Sequence, residues 1–534
     1  MDCGVRGNDG GTEVVKLECE DATTSTSPFR VKGSDGGIWA LSLVETNATT
    51  ASNFRVRYYD TAASQDVIKA LGSIPPGIPI SSCEELQMIG YHPAYPRDGI
   101  YVLTPAPPET TIDCSATNSA NWSNPKYENQ LWQLGYYERF NHKGLDGIAG
   151  VNPATGKNDD NISQLSLAEL GGKGFQPISS RRFWPAYVWD PPTDFVGIFN
   201  GNGNKIKNLT INRPIEDYLG LFGMPGSSAV ATIKNVGLEN VRVRGCHRIG
   251  GLVGQLSNSS TIIDAYSTGS VTMVSTSICA GSTQGEAGGL VGTNYQGIIT
   301  RSYSTASVSS EDNHTNLGGF IGWNNGTIDA CYATGDVTGP SWVGGFAGWE
   351  FAGTISNSYS TGNVIPSKNI DVAAMGGFAG GSYGSIINSY STGDVKGSWH
   401  TGGLVGQDMG TVKNSFSFGR VDLSVPWSNP TAYYYDRQNG GFIGCLYRTN
   451  PKSFVFNCGW WADACPGCLG VGSLYGSFEV SWKENDKVSF YNQTHGVYQN
   501  SAVSPAPSNA WDFDTIWRSR PSNPPCLRWD ASCA

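Results

Sequence analysis

The sequence predicts an all-β protein whose largest part is a parallel β-solenoid (β-helix), and three observations support this. Glycine accounts for 69 of the 534 residues and charged residues for only 15%, a composition that disfavours long helices. A Gly-Gly phrase recurs through the middle of the chain at steps of 26 to 38 residues. A second phrase with a central aromatic residue follows most copies at a nearly fixed distance.

The first phrase joins two glycines, two apolar residues and a third glycine. Its copies begin at positions 250, 288, 318, 344, 376, 402 and 440, and LGLFG at 219 is a degenerate first copy. The second phrase includes IITRSYSTASV at 298 and SIINSYSTGDV at 385. Both contain short β-branched and aromatic runs without helical periodicity, which predicts strands. One unit is too small to bury its apolar face, but stacked units can, and this favours the solenoid.

Stacking in register predicts two interior columns of side chains. One apolar residue of each Gly-Gly phrase forms the first column: Leu252, Leu290, Phe320, Phe346, Phe378, Leu404 and Phe442. The aromatic residues of the second phrase, each preceded by an aliphatic residue four positions earlier, form the second column: Tyr266, Tyr303, Tyr332, Tyr359, Tyr390 and Phe416. The paired glycines are expected where the chain needs positive φ or where neighbouring coils approach closely.

The combined phrase, GGLVGxNxGxIxNSYSTGxV, resembles the GLUG repeat family of large bacterial surface proteins and adhesin-like extracellular proteins, with a match across 198–421. FVGIFNGNGNKIKNLTI resembles the family's first coil, although Asn200 stands where the family usually has Asp. FYNQTHGVY and AWDFDTIW resemble a segment that closes such arrays. The resemblance implies a right-handed β-solenoid, a surface location and an adhesive or structural role. It implies no catalytic residues.

The remaining sequence suggests five segments. These are a small N-terminal β module (1–73), a proline-rich linker (74–79), an N-terminal cap (80–200), the solenoid (201–445) and a Cys- and Trp-rich C-terminal cap (446–534). Caps are expected because an exposed strand edge invites further pairing.

Two Ser-x-x-Glu capping boxes predict short helices in the N-terminal cap. One box begins at Ser82 and the other at Ser166.

Thirteen cysteines predict an oxidising compartment, and therefore an extracellular or cell-surface protein. The predicted disulfide residues are Cys246, Cys279, Cys458, Cys465, Cys468, Cys526 and Cys533. A redox dithiol or zinc site at Cys465–Cys468 is a weaker interpretation, since the nearest histidine is His495. The odd count leaves at least one thiol free or bonded to another chain. The sequence has no apolar signal segment or membrane span, so we expect a mature, processed chain.

Composition and motifs argue against several functions. A net charge of −10 disfavours nucleic acid as a partner. Aspartates occur singly in the repeats and the histidines are scattered, so no catalytic, cofactor or metal residues are predicted. The acidic loops 7–11 and 156–161 could hold Ca²⁺, but solvated turns are the favoured interpretation. Eight sequons permit glycosylation, at Asn47, Asn121, Asn161, Asn208, Asn258, Asn313, Asn325 and Asn492.

Two functional hypotheses remain. In the first, the protein is a subunit of an extracellular fibre that self-associates through the 1–73 module. In the second, it is a monomeric adhesin or carbohydrate-binding protein that contacts a glycan or a cell-surface protein, for example through Trp323, Trp342, Trp349 and Trp399. A polysaccharide-degrading β-helix enzyme is a third, less favoured interpretation.

Overall fold

The structure is a computed structural model. It describes residues 2–4, 16–18, 29–32, 38–44, 55–60, 65–70, 77–90, 92, 94–119, 122, 151–152, 157–158, 173–179, 194–214, 216–274, 285–310, 315–367, 372–426, 439–446, 454–466, 468–471, 482–484, 498, 511–520, 523–530 and 533. The strands between residues 2 and 70 are described by their backbone alone. The chain divides into two compact units, Met1–Ile78 and Pro79–Ala534.

The first unit contains two antiparallel sheets. Strands Asp2–Gly4 and Lys16–Glu18 form one pair. The other sheet has four strands in sequence order, Phe29–Lys32, Ile38–Val44, Arg55–Asp60 and Gln65–Ala70. Sequential antiparallel pairing of this kind needs only short connections. The two outer strands of the four-stranded sheet are therefore Phe29–Lys32 and Gln65–Ala70.

The second unit confirms the predicted β-solenoid. A seven-stranded parallel sheet contains the Gly-Gly strands Ile249–Gly250, Gly285–Gly288, Thr315–Gly318, Ser341–Gly344, Ala373–Gly376, Trp399–Gly402 and Asn439–Gly440. A second sheet, almost entirely parallel, winds around the other sides of each coil. Its post-glycine strands are Val253–Ser257, Val291–Thr300, Ile321–Asp329, Ala347–Glu350, Ala379–Ser382, Val405–Asp408 and Ile443–Leu446.

The second repeat phrase supplies the remaining strands of each coil. The tyrosine strands are Tyr303–Ser304, Tyr332–Ala333, Tyr359–Ser360, Tyr390–Ser391 and Phe416–Ser417. The aliphatic strands before them include Thr354–Ser356, Ser385–Ile387 and Thr411–Lys413. The strands after them are Ser307–Ser310, Val337–Gly339, Val364–Pro366, Val395–Lys396 and Val421–Asp422. Thr261–Met273 runs through all three positions.

The solenoid extends beyond the predicted bounds of 201 and 445. On the N-terminal side, Ile100–Leu103 pairs in parallel with Ile198–Asn200, and Thr111–Asp113 pairs in parallel with Lys205–Lys207. On the next coil, the long strand Thr232–Gly245 pairs with Ile198–Asn200, Lys205–Lys207 and Thr210–Arg213. On the C-terminal side, Phe454–Phe456 and Gly459–Trp461 continue the stack, and Trp482–Glu484 pairs with the latter. The strands from Ile198 to Arg213 agree with the resemblance of FVGIFNGNGNKIKNLTI to a first coil. The Gly-Gly phrase does not mark Ile100–Leu103, Thr111–Asp113, Phe454–Phe456 or Gly459–Trp461, because parallel pairing requires matching strands rather than a matching motif.

Helix is limited to short segments in the described residues. The capping box at Ser82 is confirmed as the start of helix α1, Cys83–Met88, where the Ser82 hydroxyl accepts the Glu85 backbone N–H at 3.2 Å. The Glu85 carboxylate accepts the Ser81 backbone N–H at 2.7 Å. The segment at 166–169 lies outside the described residues.

Smaller elements complete the described structure. They are the strands Ile78–Ile80 and Lys173–Gly174, the strand pairs Val151–Asn152 with Lys157–Asn158 and Trp517–Arg520 with Asn523–Leu527, and the 3-10 turns Ser115–Asn118 and Ala462–Ala464.

The first side-chain column lies in the core. All seven residues of the series from Leu252 to Phe442 are fully buried. Phe346 stacks between Phe320 and Phe378, with ring centroids 4.7 and 4.8 Å away. The paired glycines allow close approach, since a Cβ on Gly345 would lie 2.2 Å from the carbonyl oxygen of Gly377 on the next coil.

Candidate functional site: the outer faces of the solenoid

The tyrosine series forms a continuous stack along the solenoid. Neighbouring rings from Tyr266 to Phe416 lie 4.7 to 5.0 Å apart and within 7° of parallel. On either side of Tyr359, Ser358 and Ser360 are fully buried. Strand alternation therefore directs the serines to the interior and the tyrosine ring to the outside.

The C-terminal residues cover much of this stack. Trp511, Trp517, Leu527, Tyr332 and other buried residues of the stack belong to one apolar cluster that includes both segments. Four hydroxyl or indole groups at this contact hydrogen-bond to the opposite segment. The hydrogen bonds join Tyr390 Oη to the Pro525 carbonyl at 2.6 Å, Tyr359 Oη to Asp530 Oδ2 at 3.1 Å, Trp529 Nε1 to the Ala330 carbonyl at 3.0 Å and Trp511 Nε1 to the Asn414 carbonyl at 2.8 Å.

Two expectations are corrected by this arrangement. The series Tyr266, Tyr303, Tyr332, Tyr359, Tyr390 and Phe416 is a column, but it stands on the outside of the coils rather than in their interior. Residues 511–520 and 523–530 lie along the side of the solenoid instead of closing its end. The sequence pattern did not distinguish these two arrangements. An aromatic residue recurs at the same repeat position whether its ring faces the core or lies on the outside beneath a distant segment.

The recurring serines of the second phrase form buried hydrogen bonds to the backbone. The Ser358 hydroxyl donates to the Ser356 carbonyl at 2.7 Å and accepts the Cys331 backbone N–H at 3.2 Å. The Ser360 hydroxyl donates to the Gly377 carbonyl at 2.7 Å, which joins the tyrosine strand to the Gly-Gly turn. Equivalent bonds repeat at Ser389 and Ser391. Both serines of the SYS sequence are therefore structural.

A second outer face carries exposed aromatic rings, here called the aromatic strip: Tyr295, Trp323, Phe351 and Tyr383. Tyr295, Phe351 and Tyr383 are 46%, 44% and 41% exposed. The Trp323 ring stacks 6.3 Å from Tyr295 and 5.2 Å from Phe351. The strip thus crosses four consecutive coils, with Tyr295 and Trp323 in post-glycine strands and Phe351 and Tyr383 directly after them.

The other three predicted tryptophans are half-buried, as Trp323 is. Trp342 and Trp349 pack edge to face at 4.2 Å, and Trp349 also contacts Tyr383. Trp399 packs on His400 at 4.4 Å. Among the four residues proposed for glycan contact, Trp323 alone belongs to the strip.

A column of polar residues lies beneath the strip and was not anticipated from the sequence. Successive coils place Asn294, Asn324, Glu350, Ser382 and Asp408 in register, and all are buried. Asn324 Nδ2 donates to Glu350 Oε2 at 2.7 Å. Burial raises the pKa of Glu350 well above its ordinary value and that of Asp408 to about 7, although the Gly410 N–H donates to Asp408.

The aspartates of the repeats join neighbouring coils. Asp264 forms a two-pronged ion pair with Arg301, at 2.7 and 2.8 Å. Asp329 accepts from Ser356 and Asn357, and Asp336 accepts the Asn363 backbone N–H at 2.8 Å. These carboxylates therefore have structural partners.

Two histidines are buried in the solenoid. His247 Nδ1 lies 3.1 Å from Asp217 Oδ1; burial lowers the His247 pKa, but the hydrogen bond and charge of Asp217 raise it overall. Burial lowers the pKa of His400 to about 4. In the part of the chain that the structure describes, no group of three or more His, Cys, Asp or Glu side chains is arranged to hold a metal ion. The proposed Ca²⁺ loops lie outside the described residues, apart from the backbone of 157–158.

The cysteines follow the prediction in part. Disulfides join Cys465 to Cys468 and Cys526 to Cys533, and Cys246 is also disulfide-bonded. Cys279 lies outside the described residues. A further disulfide, Cys83–Cys114, was not predicted.

The prediction for Cys458 is wrong. Its thiol is buried and donates to the Val412 carbonyl at 3.5 Å. Cys458 follows Asn457 as Ser415 follows Asn414, and the register places it in the interior serine column. Cys331, also a buried thiol, occupies the same column. A thiol therefore replaces a serine hydroxyl at both positions.

No helix among the described residues combines the length and apolar character needed to cross a membrane.

Comparisons with known proteins agree with the repeat pattern. Four segments match the GLUG motif, at residues 245–272, 283–309, 313–338 and 372–396. A 172-residue stretch, 31% of this chain, is 36% identical to halomucin of Haloquadratum walsbyi. This match spans 2% of the halomucin sequence.

Among solved structures, the chain is similar to a Bacteroides ovatus protein named as an immunoglobulin A1 protease. It is 16% identical, with a TM-score of 0.30, and the match covers 66% of this chain and 84% of that protein.

Proposed function

Because the chain carries GLUG repeats wound into a β-solenoid, we propose that it is an extracellular structural protein, a subunit of a surface fibre that assembles through its N-terminal β module. The halomucin similarity supports the surface location, since that relative is named as a mucin. The solenoid acts in this proposal as a scaffold without catalytic activity. Its carboxylates Asp264, Asp329 and Asp336 are engaged in bonds between coils.

The observation that carries the assembly proposal is the separate four-stranded sheet of the first unit. Its outer strands, Phe29–Lys32 and Gln65–Ala70, pair on one side with an inner strand, and neither is paired on its other side within the described residues. Edge strands bind a further strand through backbone hydrogen bonds. A second copy of the module is the partner we propose.

Deletion of residues 1–73 tests this proposal. We expect the full-length protein to form large assemblies in light scattering coupled to size exclusion, and the truncated protein to be a monomer with an unchanged β circular-dichroism signal. Assemblies that persist after the deletion would contradict the role of the module.

A monomeric adhesin is the second candidate, because the aromatic strip exposes Tyr295, Phe351 and Tyr383 on one face. A full-length protein that remains monomeric at high concentration would favour it.

A further inference from the structure

One polar residue, Asn325, lies among the rings of the aromatic strip. Asn325 pairs in register with Tyr295 on the preceding coil. On the following coil, the Phe351 backbone N–H donates to the Asn324 carbonyl at 2.8 Å, which brings Phe351 beside Asn325. Trp323 and Asn325 point to the same side of their strand, because Asn324 between them is fully buried. Asn325 therefore emerges among three of the strip's rings.

Asn325 begins the sequence Asn-Gly-Thr, an acceptor for N-linked glycans. Thr327 of this sequon is exposed. The Asn325 carboxamide makes no side-chain hydrogen bond to the residues that the structure describes, so its nitrogen is available for a covalent substituent.

The two other sequons in the described residues are different. The Asn208 carboxamide donates to Asp113 at 3.0 Å and accepts from Asn240 at 2.7 Å. The Asn258 carboxamide donates to the Ser227 carbonyl at 2.8 Å. A glycan on either residue would replace an amide hydrogen and disturb these contacts. Asn47, Asn121, Asn161, Asn313 and Asn492 lie outside the described residues.

We propose that Asn325 is an N-glycosylation site and that the first sugars of its glycan pack on the aromatic strip. The faces of a pyranose ring present C–H groups, which suit an aromatic surface, while its hydroxyls remain in water. Tyr295, Trp323 and Phe351 carry no charge, in agreement with a neutral sugar. A contiguous exposed apolar patch marks an interaction surface, and in this proposal the group that covers it is a glycan of the same chain. The inference rests on the proposed extracellular location, and it gives the strip a role other than the adhesion of the second candidate function.

The site is tested by secretion of the full chain from a eukaryotic host, behind a leader supplied by the host. Enzymatic removal of N-glycans in oxygen-18 water, followed by peptide mass spectrometry and compared with a parallel sample incubated without the enzyme, separates a released glycan site from spontaneous deamidation at Asn325-Gly326. We expect the heavy label on Asn325 and its loss in Asn325→Gln. Trp323→Ala should speed the enzymatic release of the Asn325 glycan from the folded protein several-fold, whereas Tyr383→Ala, which removes a more distant ring of the strip, should leave the release rate unchanged.

A folded, secreted protein with Asn325 unlabelled would overturn the proposal. The packing of the glycan is tested separately by the binding of a hydrophobic dye, which should increase in Asn325→Gln because the strip is uncovered. Equal dye binding by Asn325→Gln and the glycosylated wild type would contradict that packing. Capture of a free glycan through Trp323 by the fully glycosylated protein would also contradict it. Since the host supplies the leader, a native protein found inside its source cells would contradict the proposed function without affecting this test.

Discussion

The Ser358 backbone N–H donates to the Ser389 hydroxyl oxygen at 3.3 Å, one coil further along the solenoid. The Ser389 hydroxyl in turn donates to the Ile387 carbonyl at 2.8 Å. Ser389 and Ser415 form the same contact at 3.2 Å. A buried hydroxyl thus satisfies backbone groups of two coils at once, which the parallel strands alone leave unpaired.

Replacement of Ser389 by Ala should destabilise the solenoid by about 1–3 kcal/mol, because the buried Ser358 N–H loses its acceptor. Denaturant unfolding measures the change. Ser389→Cys should cost less, since Cys331 and Cys458 occupy equivalent positions. Ser385→Ala is the matched control on the same coil. Equal stability of Ser389→Ala and wild type would contradict the role of the serine column.

Phe346→Asp should prevent folding of the solenoid or destabilise it by several kcal/mol, because the carboxylate would be buried between Phe320 and Phe378 without a partner. Thermal unfolding followed by circular dichroism checks this. Phe351→Asp is the control, because Phe351 is 44% exposed. An unchanged melting temperature for Phe346→Asp would show that the interior column is assigned incorrectly.

The buried Asp408 predicts an unusual pH dependence. Its pKa is raised from 3.8 to about 7 by burial, so the folded state favours the protonated carboxyl. The stability from this group is fully present below the unfolded pKa and is lost as pH rises through about 7, with an upper limit on the order of 4 kcal/mol.

Asp408→Asn should therefore gain stability relative to wild type as the pH rises from 4 to 8, since the amide keeps the acceptor for Gly410 and carries no charge. Urea unfolding of both proteins across this range gives the difference directly. Asp422→Asn is a control in which the stability difference from wild type should change with pH in the opposite direction. Hydrogen bonds from Ser424 lower the Asp422 pKa, so its ionised form stabilises the fold. A difference between wild type and Asp408→Asn that does not vary with pH would refute the prediction.

Trp517→Ala should loosen the C-terminal segment from the tyrosine stack, because the Trp517 ring is fully buried and contacts Tyr359 and Tyr390. Limited proteolysis should cleave this variant in the segment 511–530 before the solenoid, and spectrophotometric titration should show tyrosines that ionise at lower pH. Burial raises the pKa of Tyr359 in the intact protein. Cleavage at the wild-type rate would indicate that the contact contributes little.

The repeat phrases predicted the solenoid because each position has one environment in every coil. Leu290 and Phe320 occupy equivalent interior positions on successive coils, and both are fully buried. Gly345 approaches the backbone oxygen of Gly377 on the next coil, and the same close approach recurs at the equivalent glycines. The packing of Trp517 on the tyrosine stack could not be predicted in this way. The sequence 511–530 lies outside the repeat and has no periodic pattern that indicates which surface it contacts. Glu350 and Asp408 were also missed, since a charged residue in a strand ordinarily indicates the solvent face.

The central claim, that the protein is a subunit of an extracellular fibre, is tested most directly by electron microscopy of native material collected from the surface of the source cells, with antibody labelling of the solenoid. We expect labelled filaments with the solenoid repeated along their length. Labelled protein that is dispersed as single particles, or that is confined to the cell interior, would contradict the claim.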